Sequence, residues 1–148
     1  GVQLLWQTGK VYYPTAQQQA APFAAAGLHA LEFVQRMDLA YAAADVVISR
    51  AGALSVSELC LTGKPSILVP SPNVAEDHQT KNAMALVKRD AALLVADAEA
   101  PKRLYDEALA LLQNQPRQQQ LTTNVLQLAR PAATATIVDE LLELISGT

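Results

Sequence analysis

The chain has 148 residues, of which 51% are apolar and 17% are charged. A chain of this length buries about 70% of its unfolded surface, so the composition favours one folded domain and excludes a disordered chain. The formal net charge of −3 and the 11 scattered Lys and Arg residues argue against nucleic acid as a partner. The single cysteine, Cys60, cannot form an internal disulfide and indicates a reducing, cytoplasmic compartment. The longest apolar stretch, 39–47, is too short to span a bilayer.

Apolar runs typical of strands alternate with helical patterns along most of the chain. The predicted strands span 2–7, 28–34, 45–49, 66–70 and 91–95. The predicted helices span 14–26, 37–44, 53–61 and 77–89, followed by three more in a helical C-terminal part at about 99–146. Pro22 is expected to interrupt the first helix, and Pro116 and Pro131 to separate the last three. The alternation predicts an α/β fold, a Rossmann-like parallel sheet with flanking helices.

The segment ISRAGALSVSEL joins a predicted buried strand to a helix, at the edge where parallel sheets bind ligands. Gly52 allows a ligand to approach the main chain closely. The amide groups of Ala53, Leu54 and Ser55 lack intrahelical partners, so they can donate to a phosphate. A capping box is the alternative, because Ser55 and Glu58 have the S-x-x-E spacing, but it requires Ser55 to lie outside the helix. If the helix begins near Ala53 instead, Glu58 can accept hydrogen bonds from sugar or ribose hydroxyls.

A second polar loop precedes the helix predicted at 77–89. Asp77 is expected to be the N-cap of this helix. His78 and Asn82 are four residues apart and therefore lie on one helix face, with Gln79 one step round. Their imidazole and amide groups suit a neutral ligand rich in hydroxyls, although a solvated first turn is the alternative interpretation.

A third loop follows the strand predicted at 28–34. A base-sized aromatic ligand can lie against Phe33 or Val34 there and bond to main-chain groups. Packing of both side chains into the core is the alternative.

Several chemistries are excluded by motifs that the sequence lacks. It contains no G-x-S-x-G elbow of a serine hydrolase and neither of the glycine-rich nucleotide fingerprints. Its two histidines and one cysteine are not spaced as metal ligands. No pair of carboxylates stands out for acid–base chemistry. We therefore expect neither a metal nor a cofactor.

Two long segments, ADVVISRAGALSVSEL and GKPSILVPSPNVAEDHQTKNA, resemble the carboxyl-terminal half of the MurG family, and the similarity extends over roughly residues 4–96. MurG enzymes are hexosyltransferases that transfer N-acetylglucosamine from UDP-N-acetylglucosamine to lipid I, which forms lipid II in peptidoglycan biosynthesis. The resemblance implies that 1–148 is the donor-binding domain of an inverting GT-B glycosyltransferase. The first strand of that domain and the whole N-terminal domain, with the lipid I site and the likely base, are then missing. The fragment is expected to contain no catalytic residue and to be inactive alone.

The resemblance also implies which residues bind the donor. By position they are Val34, Gly52, Ala53, Leu54, Ser55, Glu58, His78, Gln79 and Asn82. The main chain of Val34 would meet the uracil, Glu58 the ribose hydroxyls, and the helix start at 53–55 the diphosphate. Gln79 and its two polar neighbours would meet the N-acetylglucosamine. Such a site needs no metal, because helix amides offset the charge of the diphosphate.

Two alternative functions stay open. The donor domain of another GT-B enzyme, such as a diacylglycerol glycosyltransferase, would have the same sheet and the same helix start. A noncatalytic interaction module would show no affinity for UDP. If the MurG resemblance holds, the parent enzyme is expected in the cytoplasm, peripherally on the inner face of the bacterial inner membrane.

Overall fold

The computed structural model describes residues 1–73 and 77–146, and the chain divides into two compact units, Gly1–Ala43 and Ala44–Thr148. Both units combine parallel strands with helices, so the predicted α/β class is confirmed. The assignment of the whole chain to one donor-binding domain stays a prediction.

The first unit is a two-stranded parallel sheet with helices. Its elements are β1 (Leu4–Gln7), α1 (Gly9–Ala20), a 3-10 helix (Ala21–Ala26), β2 (Leu28–Leu31) and α2 (Met37–Ala43). The first helix begins directly after β1, earlier than predicted, and contains Pro14. Pro22 interrupts it as expected, because the α-helix ends at Ala20 and continues as a 3-10 helix. Gly27, with φ of 94°, then turns the chain into β2.

The second unit has a three-stranded parallel sheet in the order β3-β4-β5. Its elements are β3 (Val47–Ser49), α3 (Ala53–Thr62), β4 (Ser66–Leu68), α4 (His78–Val87), β5 (Leu93–Leu94), α5 (Ala100–Leu112), α6 (Gln115–Leu126) and α7 (Ala133–Ser146). The three C-terminal helices break where the sequence predicts, near Pro116 and Pro131.

The core of the second unit lies between the sheet and the helices α5 and α6. Its buried members are Ile67, Val69, Val95, Leu111 and Leu121.

Gly63 ends α3 with φ of 66°, and a Cβ atom there would lie 3.0 Å from the side chain of Leu126. Cys60 is buried, and burial raises the pKa of its thiol, as suits a core residue rather than a nucleophile.

The predicted strands are longer than the observed ones. The run at 28–34 pairs only over Leu28–Leu31, and the run at 91–95 only over Leu93–Leu94. A strand persists only while its neighbour offers ladder partners, and apolar composition does not report that. The prediction that β3 is buried was wrong, because this strand lies at the edge of the described three-stranded sheet and Ile48 is 43% exposed, whereas all three residues of the central β4 are buried.

The last helix differs from the others in its exposure. Every residue of α7 is exposed, including the apolar Leu141, Leu144 and Ile145. Within 1–73 and 77–146, no helix has both the length and the apolar character that crossing a membrane requires.

Candidate functional site

The candidate site lies where β3 leads into α3, in the second unit. Gly52 is the N-cap residue, with extended backbone angles of φ −65° and ψ 150°, and α3 begins at Ala53. The carbonyl oxygen of Gly52 accepts a hydrogen bond from the amide of Val56 at 2.9 Å, which closes the first helical turn. The amides of 53–55 donate to no main-chain or side-chain acceptor within the described part of the chain. The helix therefore begins with open donors.

The start of α3 decides between the two interpretations of the S-x-x-E spacing. Ser55 lies inside the helix, and no side chain accepts a hydrogen bond at the N-cap. Ser57 Oγ donates to the carbonyl oxygen of Ala53 at 2.9 Å instead. The capping box is thus wrong, because its serine must stand before the first helical residue. The first turn also contains no acidic residue, so no carboxylate of the helix offsets its positive end.

Exposure supports a site that is open to a ligand. Ala53, Leu54 and Glu58 are exposed. Leu54 keeps 82% of the solvent-accessible surface of a fully exposed leucine. Ser55 and Gly52 are half-buried at the same end of α3.

The second loop reaches this site through two amide side chains of α4. Gln79 Oε1 accepts hydrogen bonds from the main-chain amides of Ala51, at 3.2 Å, and Ser71, at 2.9 Å. Asn82 Nδ2 donates to the carbonyl oxygen of Ala51 at 3.0 Å. Because the partners of Gln79 are both donors and the partner of Asn82 is an acceptor, the orientation of each amide is unambiguous. Gln79 Nε2 and Asn82 Oδ1 take no part in these three hydrogen bonds.

The beginning of α4 differs from the prediction. Asp77 stands at the N-cap position, as expected, but its side chain makes no capping hydrogen bond. Its backbone is left-handed, with φ of 55°, whereas a capping side chain requires an extended N-cap residue. His78, the first residue of α4, is exposed. Glu76, whose carboxylate the sequence predicts to suit the positive end of this helix, lies outside the described residues.

An arginine that the sequence interpretation missed connects three strand ends. Arg50, directly after β3, donates from Nη1 to the carbonyl oxygen of Val69 at 3.1 Å and pairs with the carboxylate of Asp97. Val69 follows β4, and Asp97 follows β5 by three residues. The available sequence signal was a pair of opposite charges that follow β3 and β5, the two strands on either side of β4. These contacts link the segments that follow the carboxyl ends of the three strands.

Val34 belongs to the first unit, and its main chain is already engaged there. Its amide donates to Gln7 Oε1 at 2.8 Å, and the residue is buried. A uracil that bonded to this amide would have to displace Gln7. The predicted uracil contact therefore stays a prediction. Among the residues described, no group of three or more His, Cys, Asp or Glu side chains is placed to hold a metal ion.

Comparison with known proteins assigns this architecture to a class of sugar transferases. Residues 1–137 match the family described as "Glycosyltransferase family 28 C-terminal domain", and the chain belongs to this family.

The names of similar proteins are more specific than the description of the family. A relative from Cytophaga hutchinsonii is 52% identical over 146 residues, which are 99% of this chain and 38% of the relative. A relative from Porphyromonas gingivalis is 52% identical over 145 residues, 98% of this chain and 38% of the relative. Both are named "UDP-N-acetylglucosamine--N-acetylmuramyl-(pentapeptide) pyrophosphoryl-undecaprenol N-acetylglucosamine transferase". The chain thus spans about two fifths of the length of these relatives.

A solved structure shows the same fold. The crystal structure of Acinetobacter baumannii MurG superposes with a TM-score of 0.84 and 29% sequence identity, over 96% of this chain and 41% of that one. The resemblance to MurG, inferred from two sequence segments, is confirmed by these comparisons.

Proposed function

We propose that the chain binds UDP-N-acetylglucosamine, as the donor-binding part of an enzyme that transfers N-acetylglucosamine to lipid I. The observation that carries the proposal is the start of α3, where open amides follow Gly52 at the carboxyl edge of a parallel sheet. The names of the relatives, which specify this sugar and an undecaprenol-linked acceptor, support the choice of donor and acceptor.

The first turn of α3 is the proposed seat of the diphosphate. The amides of 53–55 supply hydrogen-bond donors, and the helix dipole adds an attraction of about 0.3–1 kcal/mol for an anion at an exposed site. Glu58, one turn further along, is the proposed acceptor for the two ribose hydroxyls. Gln79 Nε2 and Asn82 Oδ1, with His78 beside them, are the proposed contacts to the hydroxyls of N-acetylglucosamine.

The proposed role of the α3 start in the reaction follows from where negative charge develops. When the acceptor hydroxyl attacks C1 of the sugar, the C1–oxygen bond to the diphosphate breaks and UDP departs with an additional negative charge. The open amides at the start of α3 then stabilise the leaving group. The attacking hydroxyl and the group that removes its proton belong to the acceptor side, which we assign to the part of the relatives that this chain does not span. Peripheral association of the complete enzyme with the cytoplasmic face of the membrane is proposed on the same resemblance.

Titration with UDP tests the proposal directly. Calorimetry on the 148-residue chain should detect binding of UDP, and Glu58→Gln should weaken it about tenfold, since one charged acceptor for the ribose hydroxyls is lost. The same substitution should change the affinity for 2′,3′-dideoxyuridine diphosphate little. Glu140→Gln, on the exposed face of α7, is the matched control. No heat with millimolar UDP would refute the proposal and favour an interaction module.

A transfer assay tests whether the acceptor site lies outside this chain. With radiolabelled UDP-N-acetylglucosamine and lipid I, the 148-residue chain should give no product. Product formed by this chain alone would show that the acceptor site lies within it.

A further inference from the structure

Both main-chain polar groups of Ala51 are held by side chains of α4. Its amide donates to Gln79 Oε1 at 3.2 Å, and its carbonyl oxygen accepts from Asn82 Nδ2 at 3.0 Å. Gln79 and Asn82 lie three residues apart on one face of α4, so one helix face holds both ends of the residue. Ala51 itself is fully buried.

The same oxygen of Gln79 also holds the loop that follows β4. It accepts the amide of Ser71 at 2.9 Å in addition to that of Ala51. A single carbonyl oxygen therefore fixes the residue before Gly52 and the first residue of the polar loop leading to α4. Neither contact uses the Gln79 Nε2 group that a sugar hydroxyl would need.

From this arrangement we propose that Gln79 and Asn82 are positioning residues, which act as a clamp on Ala51 and thereby set the direction of the open amides at the start of α3. The inference rests on the proposed function, since it names what orients the diphosphate seat. Ala51 immediately precedes the N-cap residue, so a rotation of its peptide planes would turn Gly52 and the first turn of α3. Holding both polar groups of Ala51 removes that freedom before the ligand arrives.

The clamp differs from direct sugar contact in its effect on UDP, which carries no sugar beyond its ribose. If Gln79 only touched N-acetylglucosamine, a substitution would weaken UDP-N-acetylglucosamine and leave UDP unchanged. If Gln79 also positions the amides, a substitution weakens the binding of UDP as well, and that of UDP-N-acetylglucosamine at least as much. Gln79→Met keeps the length of the side chain and removes the acceptor.

The test combines amide exchange and calorimetry on the 148-residue chain. In Gln79→Met, hydrogen exchange at the Ala51 and Ser71 amides should accelerate at least about tenfold, UDP should bind about tenfold more weakly, and UDP-N-acetylglucosamine should lose at least as much affinity. Gln79→Glu keeps an oxygen acceptor and loses the Nε2 donor, so it should preserve the slow exchange of both amides. Gln119→Met, an exposed glutamine of α6, is the matched control for the substitution.

Two results would overturn the clamp. One is unchanged exchange at both amides in Gln79→Met; the other is a loss for UDP-N-acetylglucosamine with UDP unaffected. A wild-type chain that binds no UDP would instead refute the proposed function, while the exchange measurement would still show whether Gln79 restrains Ala51 and Ser71.

Discussion

Replacement of Gly52 by alanine separates a folding role of this glycine from a ligand role. Its backbone angles, φ −65° and ψ 150°, are accessible to any residue. A Cβ atom built there would meet only Ser55 Oγ, at 3.9 Å, which is ordinary van der Waals contact. The described structure therefore gives no steric reason for glycine at this position. The proposed diphosphate, in contrast, would share the space beside Ser55 with the new methyl group.

Gly52→Ala has two opposing effects on the free energy of unfolding, and they nearly cancel. A Gly→Ala change at a compatible backbone position stabilises by about 0.4–1 kcal/mol through the unfolded state. Alanine is a poorer N-cap residue than glycine by roughly 0.5–1 kcal/mol. The net change in the free energy of unfolding should lie within about 0.5 kcal/mol of zero. If the methyl group costs one charge-assisted hydrogen bond to the diphosphate, about 1.5–3 kcal/mol of binding is lost, which is roughly a 10- to 100-fold weaker affinity for UDP.

Urea unfolding and calorimetric titration of Gly52→Ala measure both quantities on one preparation. Gly1→Ala serves as the control, since a Cβ atom at Gly1 meets nothing within 4 Å. Wild-type affinity for UDP in Gly52→Ala would refute the placement of the diphosphate at the start of α3. A large loss of stability would refute the reasoning that glycine is unnecessary for the fold here.

Two further predictions concern stability. Ser66 is fully buried in β4, and its Oγ has no hydrogen-bond partner in the described part of the chain, so Ser66→Ala should raise the free energy of unfolding by about 1 kcal/mol and Tm by about 2–4 °C in calorimetry. A lower Tm would show that the hydroxyl is satisfied. Arg117, through a two-point hydrogen bond at 2.6 and 2.8 Å, holds the pKa of Asp90 below its ordinary 3.8. A lowered pKa stabilises the fold above the ordinary value, so urea unfolding should find Asp90→Asn less stable at neutral pH, with the difference shrinking as the pH falls below about 4. A difference independent of pH would contradict the ion pair.

The elements of this chain were predictable to a large degree because local signals agree with the fold. Alternating apolar runs and helical patterns gave the α/β class, and Gly27 and Gly63 end their helical segments in left-handed backbone conformations. Element boundaries were less accurate, since the lengths of β2 and β5 depend on the strands that pair with them. Pro14 lies inside α1 although an interior proline removes a hydrogen bond and disfavours a helix, and nothing in the described structure explains why α1 continues through it.

The candidate site, too, could be predicted in part from the sequence. By itself, the sequence determined which residues follow each strand, and therefore that Gly52, Glu58 and Gln79 belong to loops and helix starts at one edge of a parallel sheet. It also carried the resemblance to MurG that the comparisons confirm. Those conclusions need only residue order and the geometry of parallel strands.

Only the tertiary structure decided what the polar side chains do. It showed that α3 begins at Ala53, which eliminated the capping box, and that Arg50 finds Asp97 across the strand ends. It also showed Gln79 bound to two main-chain amides from different loops. Hydrogen-bond partners 28 or 47 residues apart in the chain are chosen by packing, and neither periodicity nor spacing encodes them.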